Sequence, residues 1–117
     1  MKKNIITVIC CLLLIGCGNT NKDDKRDEMI KTIIDGGNYI IVDVRTKEEY
    51  DEGHVVDAIN IPVDEINDEI DLDKNKTIFV YCRSGKRSSQ AYSKLKNYGY
   101  NVIDLGAYDS IDLDKTS

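Results

Sequence analysis

Thr77-Ile78-Phe79-Val80-Tyr81 is the clearest buried strand of the chain, and Cys82-Arg83-Ser84-Gly85-Lys86-Arg87-Ser88 follows it without a gap. A helix is predicted from Ser88 to Tyr98, with Ala91, Tyr92, Leu95 and Tyr98 on its inner face and Gly99 as its stop. A short, wholly apolar strand that runs through one glycine turn into a helix is the unit of an α/β sheet. The rest of the chain repeats that alternation, which predicts a largely parallel sheet covered on both faces.

Met29, Ile30, Ile33 and Ile34 recur at helical spacing from Asp27 onward, and Gly36-Gly37 ends the period. Tyr39 to Val44 is short and rich in β-branched residues, hence a buried strand. Thr46-Lys47-Glu48-Glu49 has the form of a capping box, so a short helix is expected to run to Glu52 and stop at Gly53. Ala58 to Ile61 reads as a further short strand ended by Pro62, and Asp64 to Ile70 as a helix followed by a polar turn at Asp71 to Lys76. Asn101 to Leu105 is the last expected strand, and the residues after Gly106 carry no readable pattern.

The chemistry is expected where the best strand meets its helix. Ligands of α/β sheets bind at the carboxyl ends of strands, and a loop entering a helix offers unpaired N–H groups and the positive end of the helix dipole. Gly85 lets successive N–H groups converge into an anion-binding nest. Arg83, Lys86 and Arg87 add positive charge. Such surroundings favour thiolate over thiol at Cys82, so a nucleophile, an anion cradle and cations occur together. A structural cysteine beside a solvated basic turn is the bland alternative, and the order strand, cysteine, glycine turn, basic residues, helix argues against it.

The N-terminus is read as a targeting segment. Met1-Lys2-Lys3 is basic, and Ile5 to Ile15 is apolar but for Thr7. That run is too short to cross a membrane core, which needs about 20 residues, and fits the apolar region of a secretory signal. Leu14-Ile15-Gly16-Cys17 resembles the bacterial lipobox. Residues 1–16 are therefore expected to be a lipoprotein signal peptide, 17–26 a lipidated Cys17 with a polar tether, and 27–117 the working domain. The expected location is the extracytoplasmic face of a bacterial membrane, with Cys17 as the lipid attachment site.

Of the four cysteines, Cys10 and Cys11 fall in the signal and Cys17 would carry lipid, leaving Cys82 as the lone free thiol. Loss of Lys2 and Lys3 with the signal would take the formal net charge from −5 to −7. So acidic a chain argues against nucleic-acid binding.

Three blocks of this sequence together resemble the rhodanese family: Ile41-Val42-Asp43-Val44-Arg45 with Glu48-Glu49-Tyr50; Gly53-His54-Val55 with Ala58-Ile59-Asn60-Ile61-Pro62; and Cys82 to Ser88. The resemblance covers about Asp27 to Leu105. It implies a rhodanese-like three-layer α/β fold with a mostly parallel central sheet of four to five strands flanked by helices. It also implies that Cys82 takes a sulfane sulfur from a small anion such as thiosulfate and passes it, as a persulfide, to a thiol or cyanide. Backbone N–H groups of Arg83 through Arg87 would stabilise the persulfide, and Arg83, Lys86 and Arg87 are candidates for the donor's anionic end, with Arg87 alternatively bracing the loop. Ser84, Gly85 and Ser88 complete the substrate-binding set. No cofactor and no metal are implied, and the expected state is a monomer.

Asp43 and Arg45 are read as tying the strand end to neighbouring loops. His54, the single histidine, is read as structural because a loop-stabilised thiolate needs no base. Asp64, Glu65, Asp68, Glu69, Asp71 and Asp73 are read as a solvated face. Three features depart from the family pattern: Asp57 stands where glycine is usual, Gly106-Ala107-Tyr108 replaces the usual Gly-Gly with the later tryptophan absent, and the first strand is weak or missing. Competing readings are a cysteine phosphatase or arsenate reductase, a thiol–disulfide reductase, and a non-catalytic sulfur- or anion-sensing or interaction module. Cysteine phosphatases place five residues between cysteine and arginine, and here four separate Cys82 from Arg87. A reductase would want a resolving cysteine near Cys82.

Overall fold

The computed structural model describes residues 22–117. The expected signal segment, Cys17 and the first part of the tether lie outside the described residues. The chain divides at Gly36/Gly37 into two compact units. Within the first, helix α1 spans Lys22–Gly36, so positions 22–26, read from sequence as tether, are helical. The Thr32 hydroxyl donates to the Glu28 carbonyl one turn back, at 2.9 Å.

The second unit is built on a four-stranded parallel sheet. In chain order its elements begin with β1 (Tyr39–Asp43), α2 (Lys47–Glu52), β2 (His54–Val55) and β3 (Ile59–Asn60). They continue with β4 (Thr77–Cys82), α3 (Lys86–Asn97), β5 (Asn101–Ala107) and β6 (Lys115–Thr116). The sheet order is β3-β1-β4-β5, with β2 and β6 forming a separate antiparallel ribbon. Strand β1 pairs with β4 in register from Tyr39–Thr77 to Asp43–Tyr81. Residues 78–82 of β4 are all buried, as a strand covered on both faces requires.

One face of β4 presents Ile78, Val80 and Cys82 to a core that includes Val42, Val44, Val63, Ile66, Ala91 and Leu95. Tyr92 and Tyr98 close its margin, so the inner face read for α3 is the one observed. On the other face Phe79 meets Tyr39 edge-on at 6.1 Å, and Tyr81 stacks with Tyr108 at 5.7 Å.

Two expected elements differ from those observed. Asp64 to Ile70 does not form a helix: a 3₁₀ turn at Val63–Glu65 is followed by irregular chain. Asn67 explains the break, because its side-chain oxygen accepts from the Glu69 N–H at 2.8 Å and so competes with helical pairing. Val63 and Ile66, three residues apart, still reach the core, and the Lys94 ammonium donates to both of their carbonyls at 3.2 and 3.3 Å. Beyond Gly106, where no pattern was readable, β5 continues to Ala107, and Lys115–Thr116 returns as β6 against His54–Val55.

Two of the three departures from the family pattern, at Asp57 and Gly106, have a backbone reading. Asp57 has φ +73, a left-handed conformation that glycine adopts without strain. Gly106, at φ +85, sits beside the register shift of the β4–β5 ladder, where Val80 pairs with Asp104 and Tyr81 with Gly106.

Candidate active site

Cys82 is the last residue of β4, and α3 starts four residues later. Gly85 occupies the N-cap of α3 at φ +102, a conformation open to glycine. An N-cap side chain normally accepts from the N–H groups of the first turn, and Gly85 has none to offer. The Cys82 sulfur takes that place. It accepts from the Gly85 N–H at 2.9 Å, and the Ser84 and Ser88 N–H groups also turn toward it.

Burial of the thiol works against ionisation, yet the Ser88 N–H and hydroxyl, followed by the Gly85 and Ser84 N–H groups, outweigh it and lower the Cys82 pKa from its ordinary value. The Ser88 hydroxyl also donates to the Gly85 carbonyl at 3.1 Å. Its one proton rotates toward the acceptor with more charge, which is the sulfur once ionised. Cys82 has no exposed surface (0%). It belongs to the apolar cluster beneath the loop, whose own Arg83 and Ser84 are exposed.

The structure separates the three cations of the loop. Arg83 is exposed and lines a cavity of about 170 Å³ with Arg45, Glu49, Glu52, Tyr108 and Asp109. Lys86 is exposed at the first position of α3. Arg87 instead forms a two-pronged pair with Glu49, Nη1 to Oε1 at 2.8 Å and Nη2 to Oε2 at 3.1 Å. Of the two roles open to Arg87 in sequence, bracing the loop is the one this geometry serves.

Glu49 is held in turn by the capping box of α2. Its Oε1 accepts from the Thr46 N–H at 3.1 Å, and its own N–H donates to the Thr46 hydroxyl at 3.2 Å. The Arg87 guanidinium, offset in part by burial and aided by Thr46, depresses the Glu49 pKa to about 2. Glu49 was legible as a capping residue and not as the anchor of the cysteine loop, because that contact joins residues 38 apart.

A second ion pair sets the corner beneath. Arg45 Nη2 and Asp43 Oδ2 are 2.6 Å apart, with side-chain exposures of 6% and 0%. Arg45 Nη2 also donates to the Gly53 carbonyl at 2.6 Å, and the Asn60 amide donates to the carbonyls of Asp43 and Arg45, both at 3.0 Å. Tyr108 lies 4.4 Å from the Arg45 guanidinium carbon. His54 stands outside the loop: its Nδ1 is 2.9 Å from the Tyr50 carbonyl and its ring stacks on Tyr50 at 3.8 Å. The acidic residues between Asp64 and Asp73 are all exposed.

Residues 26–111 match the model of the rhodanese-like domain. The chain belongs to the rhodanese-like family. Among relatives of this rhodanese-like chain, the thiosulfate sulfurtransferase PspE of Escherichia coli is 42% identical over 66 residues, covering 54% of this chain and 64% of PspE. A sulfurtransferase of Allochromatium vinosum is 32% identical over 78 residues, covering 66% of this chain and 73% of its own. A solved rhodanese with anions from E. coli superposes with a TM-score of 0.63 at 38% identity, covering 68% of this chain and 98% of that one. The match spans less than two thirds of PspE and between 12% and 18% of three longer relatives. The rhodanese-like α/β fold, with its parallel four-stranded sheet and flanking helices, is thus the fold of this chain.

Proposed function

We propose that this chain is a rhodanese-type sulfurtransferase, working as a monomer through a persulfide on Cys82. The Cys82 thiolate attacks the outer sulfur of a small anionic donor such as thiosulfate. That sulfur–sulfur bond breaks, sulfite leaves with the bonding pair, and Cys82 becomes a persulfide. A thiol or cyanide then attacks the terminal sulfur, and the electron pair returns to Cys82 as thiolate. No net oxidation or reduction is involved, so no cofactor is needed.

The observation that carries this reading is the use of the Cys82 sulfur as the missing cap of α3, under the N–H groups of Ser84, Gly85 and Ser88. Donors that favour the thiolate favour a persulfide anion for the same reason. Arg83 and Lys86 are the exposed cations beside it and receive the donor's anionic end. Cys82 has no exposed surface, so sulfur uptake requires a path to open to it. The likeness to a protein named thiosulfate sulfurtransferase supports thiosulfate as the first donor to try.

Mass spectrometry of the protein incubated with thiosulfate tests the proposal. A gain of one sulfur at Cys82, absent from Cys82→Ser, is expected. No gain with thiosulfate or with several other sulfur donors would overturn it in favour of a non-catalytic sensing module. Turnover of a phosphotyrosine mimic would instead point to a phosphatase.

For the N-terminal segment we propose export and lipidation at Cys17, on the basic start, apolar run and lipobox-like Leu14-Ile15-Gly16-Cys17. Cys17→Ser should release the protein from membranes, and continued membrane association would contradict it.

A further inference from the structure

The cavity beside the cysteine loop has a charge pattern that thiosulfate does not explain. Its volume of about 170 Å³ is that of roughly five or six waters, which suits a small molecule and is below the range of pockets for drug-sized ligands. Four of its lining residues are two cations and two anions from the β1–α2 connection, α2 and the cysteine loop: Arg45, Arg83, Glu49 and Glu52. Asp109 adds a third carboxylate, and Tyr108 an aromatic wall.

Two of these charges are already spent. Arg45 is neutralised by Asp43 and Glu49 by Arg87. Arg83, Glu52 and Asp109 make no ion pair among the described residues. The cavity therefore offers two carboxylates and one guanidinium to whatever enters. A purely anionic acceptor meets repulsion from the carboxylates, whereas a cation-bearing one is drawn in.

We infer that this cavity is the acceptor pocket, and that it selects a small aminothiol. The ammonium group lies toward Glu52 and Asp109, and the thiol toward the cysteine loop. A carboxylate on the same molecule, as in free cysteine, is met by Arg83. The inference rests on the sulfurtransferase reading and names its second substrate class. The step it implies is balanced: the aminothiol sulfur attacks the terminal sulfur of the Cys82 persulfide, the Cys82 sulfur–sulfur bond breaks, and Cys82 keeps the electron pair. The product is the aminothiol persulfide, and the thiol proton passes to solvent or to that product.

The test has two arms, both on the full chain. Cysteamine titrated into the sulfur-free protein should shift the amide resonances of Glu52, Arg83 and Asp109, and 3-mercaptopropionate should shift those of Glu52 and Asp109 less. Equal shifts from both thiols, or none from cysteamine, would overturn the pocket whether or not Cys82 accepts sulfur. In the second arm Cys82 is loaded with sulfur and its discharge is followed by mass spectrometry. The ratio of the cysteamine rate to the 3-mercaptopropionate rate, at matched thiolate concentration, should fall roughly five- to tenfold in the double variant Glu52→Gln, Asp109→Asn, since exposed ion pairs are individually weak. An unchanged ratio would overturn the inference and leave the chemistry at Cys82 standing. Failure of Cys82 to load would sink the sulfurtransferase reading, while the titration still decides the pocket.

Discussion

Arg87, the second residue of the helix that follows the nucleophile, grips both carboxylate oxygens of Glu49, the capping residue of a helix 38 positions earlier. The helix that aims N–H groups at Cys82 is therefore pinned to the first turn of α2 through a side chain that also caps α2. The planar fork of arginine fits this two-point contact, and a lysine ammonium does not. Arg87→Ala should lower stability by about 1 kcal/mol and slow sulfur uptake at Cys82. Arg87→Lys, which keeps the charge, should recover only part of that uptake. Denaturant titration and the rate of persulfide formation measure the two effects.

The same pair gives the protein an acid-sensitive component of stability. The Glu49 pKa falls from 4.5 to about 2 in the folded chain. A depressed carboxylate stabilises the fold above its unfolded pKa, and that contribution is lost as pH drops through the folded value. The unfolding midpoint in urea should therefore decline between pH 4.5 and about 2. Glu49→Gln should start lower at neutral pH and show a shallower decline. A variant with the original slope would remove Glu49 as the cause.

Ser88 should govern the ionisation of the nucleophile. Its N–H and hydroxyl are the largest of the influences that lower the Cys82 pKa against burial. Ser88→Ala keeps the N–H and deletes the hydroxyl, so the thiolate should form at higher pH than in the natural protein and still with help from the loop. Ultraviolet thiolate absorbance against pH, read as a difference from Cys82→Ser, reports the shift directly. No shift would mean that the hydroxyl serves only the Gly85 carbonyl, 3.1 Å away.

Asp43 and Arg45 are buried at 0% and 5% exposure, and a buried pair is costly to halve. Asp43→Ala leaves an uncompensated guanidinium and should destabilise by about 3–5 kcal/mol. The double variant Asp43→Leu, Arg45→Met should lose less, because no charge is stranded. Equal losses in the two proteins, by urea unfolding, would show that backbone contacts at this corner matter more than the charges.

Asp57 holds a backbone conformation with φ +73 in which a side chain is a burden. Asp57→Gly should raise stability by roughly 0.5–1 kcal/mol through relief of that strain, less the entropy that glycine loses on folding. Thermal unfolding reads the gain, and a loss would mean that the Asp57 side chain makes up for its backbone.

What could be read from the linear chain was whatever is settled locally. The apolar run of β4, the glycine turn and the Thr46–Glu49 capping box each declare themselves within a few residues, and the nucleophile follows from their order. Ser88 was named with the loop because it lies next in sequence. The second partner of Glu49, the ribbon formed by Lys115–Thr116 and the arrival of Asp109 beside Arg83 all depend on chain returning from far away. Asp64 to Ile70 misled for a related reason. Its apolar spacing fits a helix, but the side chain of Asn67 captures an N–H that the helix needs.

The strand order has a consequence for how the chain is born. Strand β1 sits in the interior of the sheet, yet both of its lateral partners, Ile59–Asn60 and Thr77–Cys82, are made after it. On the ribosome the β4 side of the apolar Ile40–Val42 stretch must wait unpaired until more than thirty further residues emerge to close β4 against it. That interval, rather than the finished protein, is when chaperones have most to grasp.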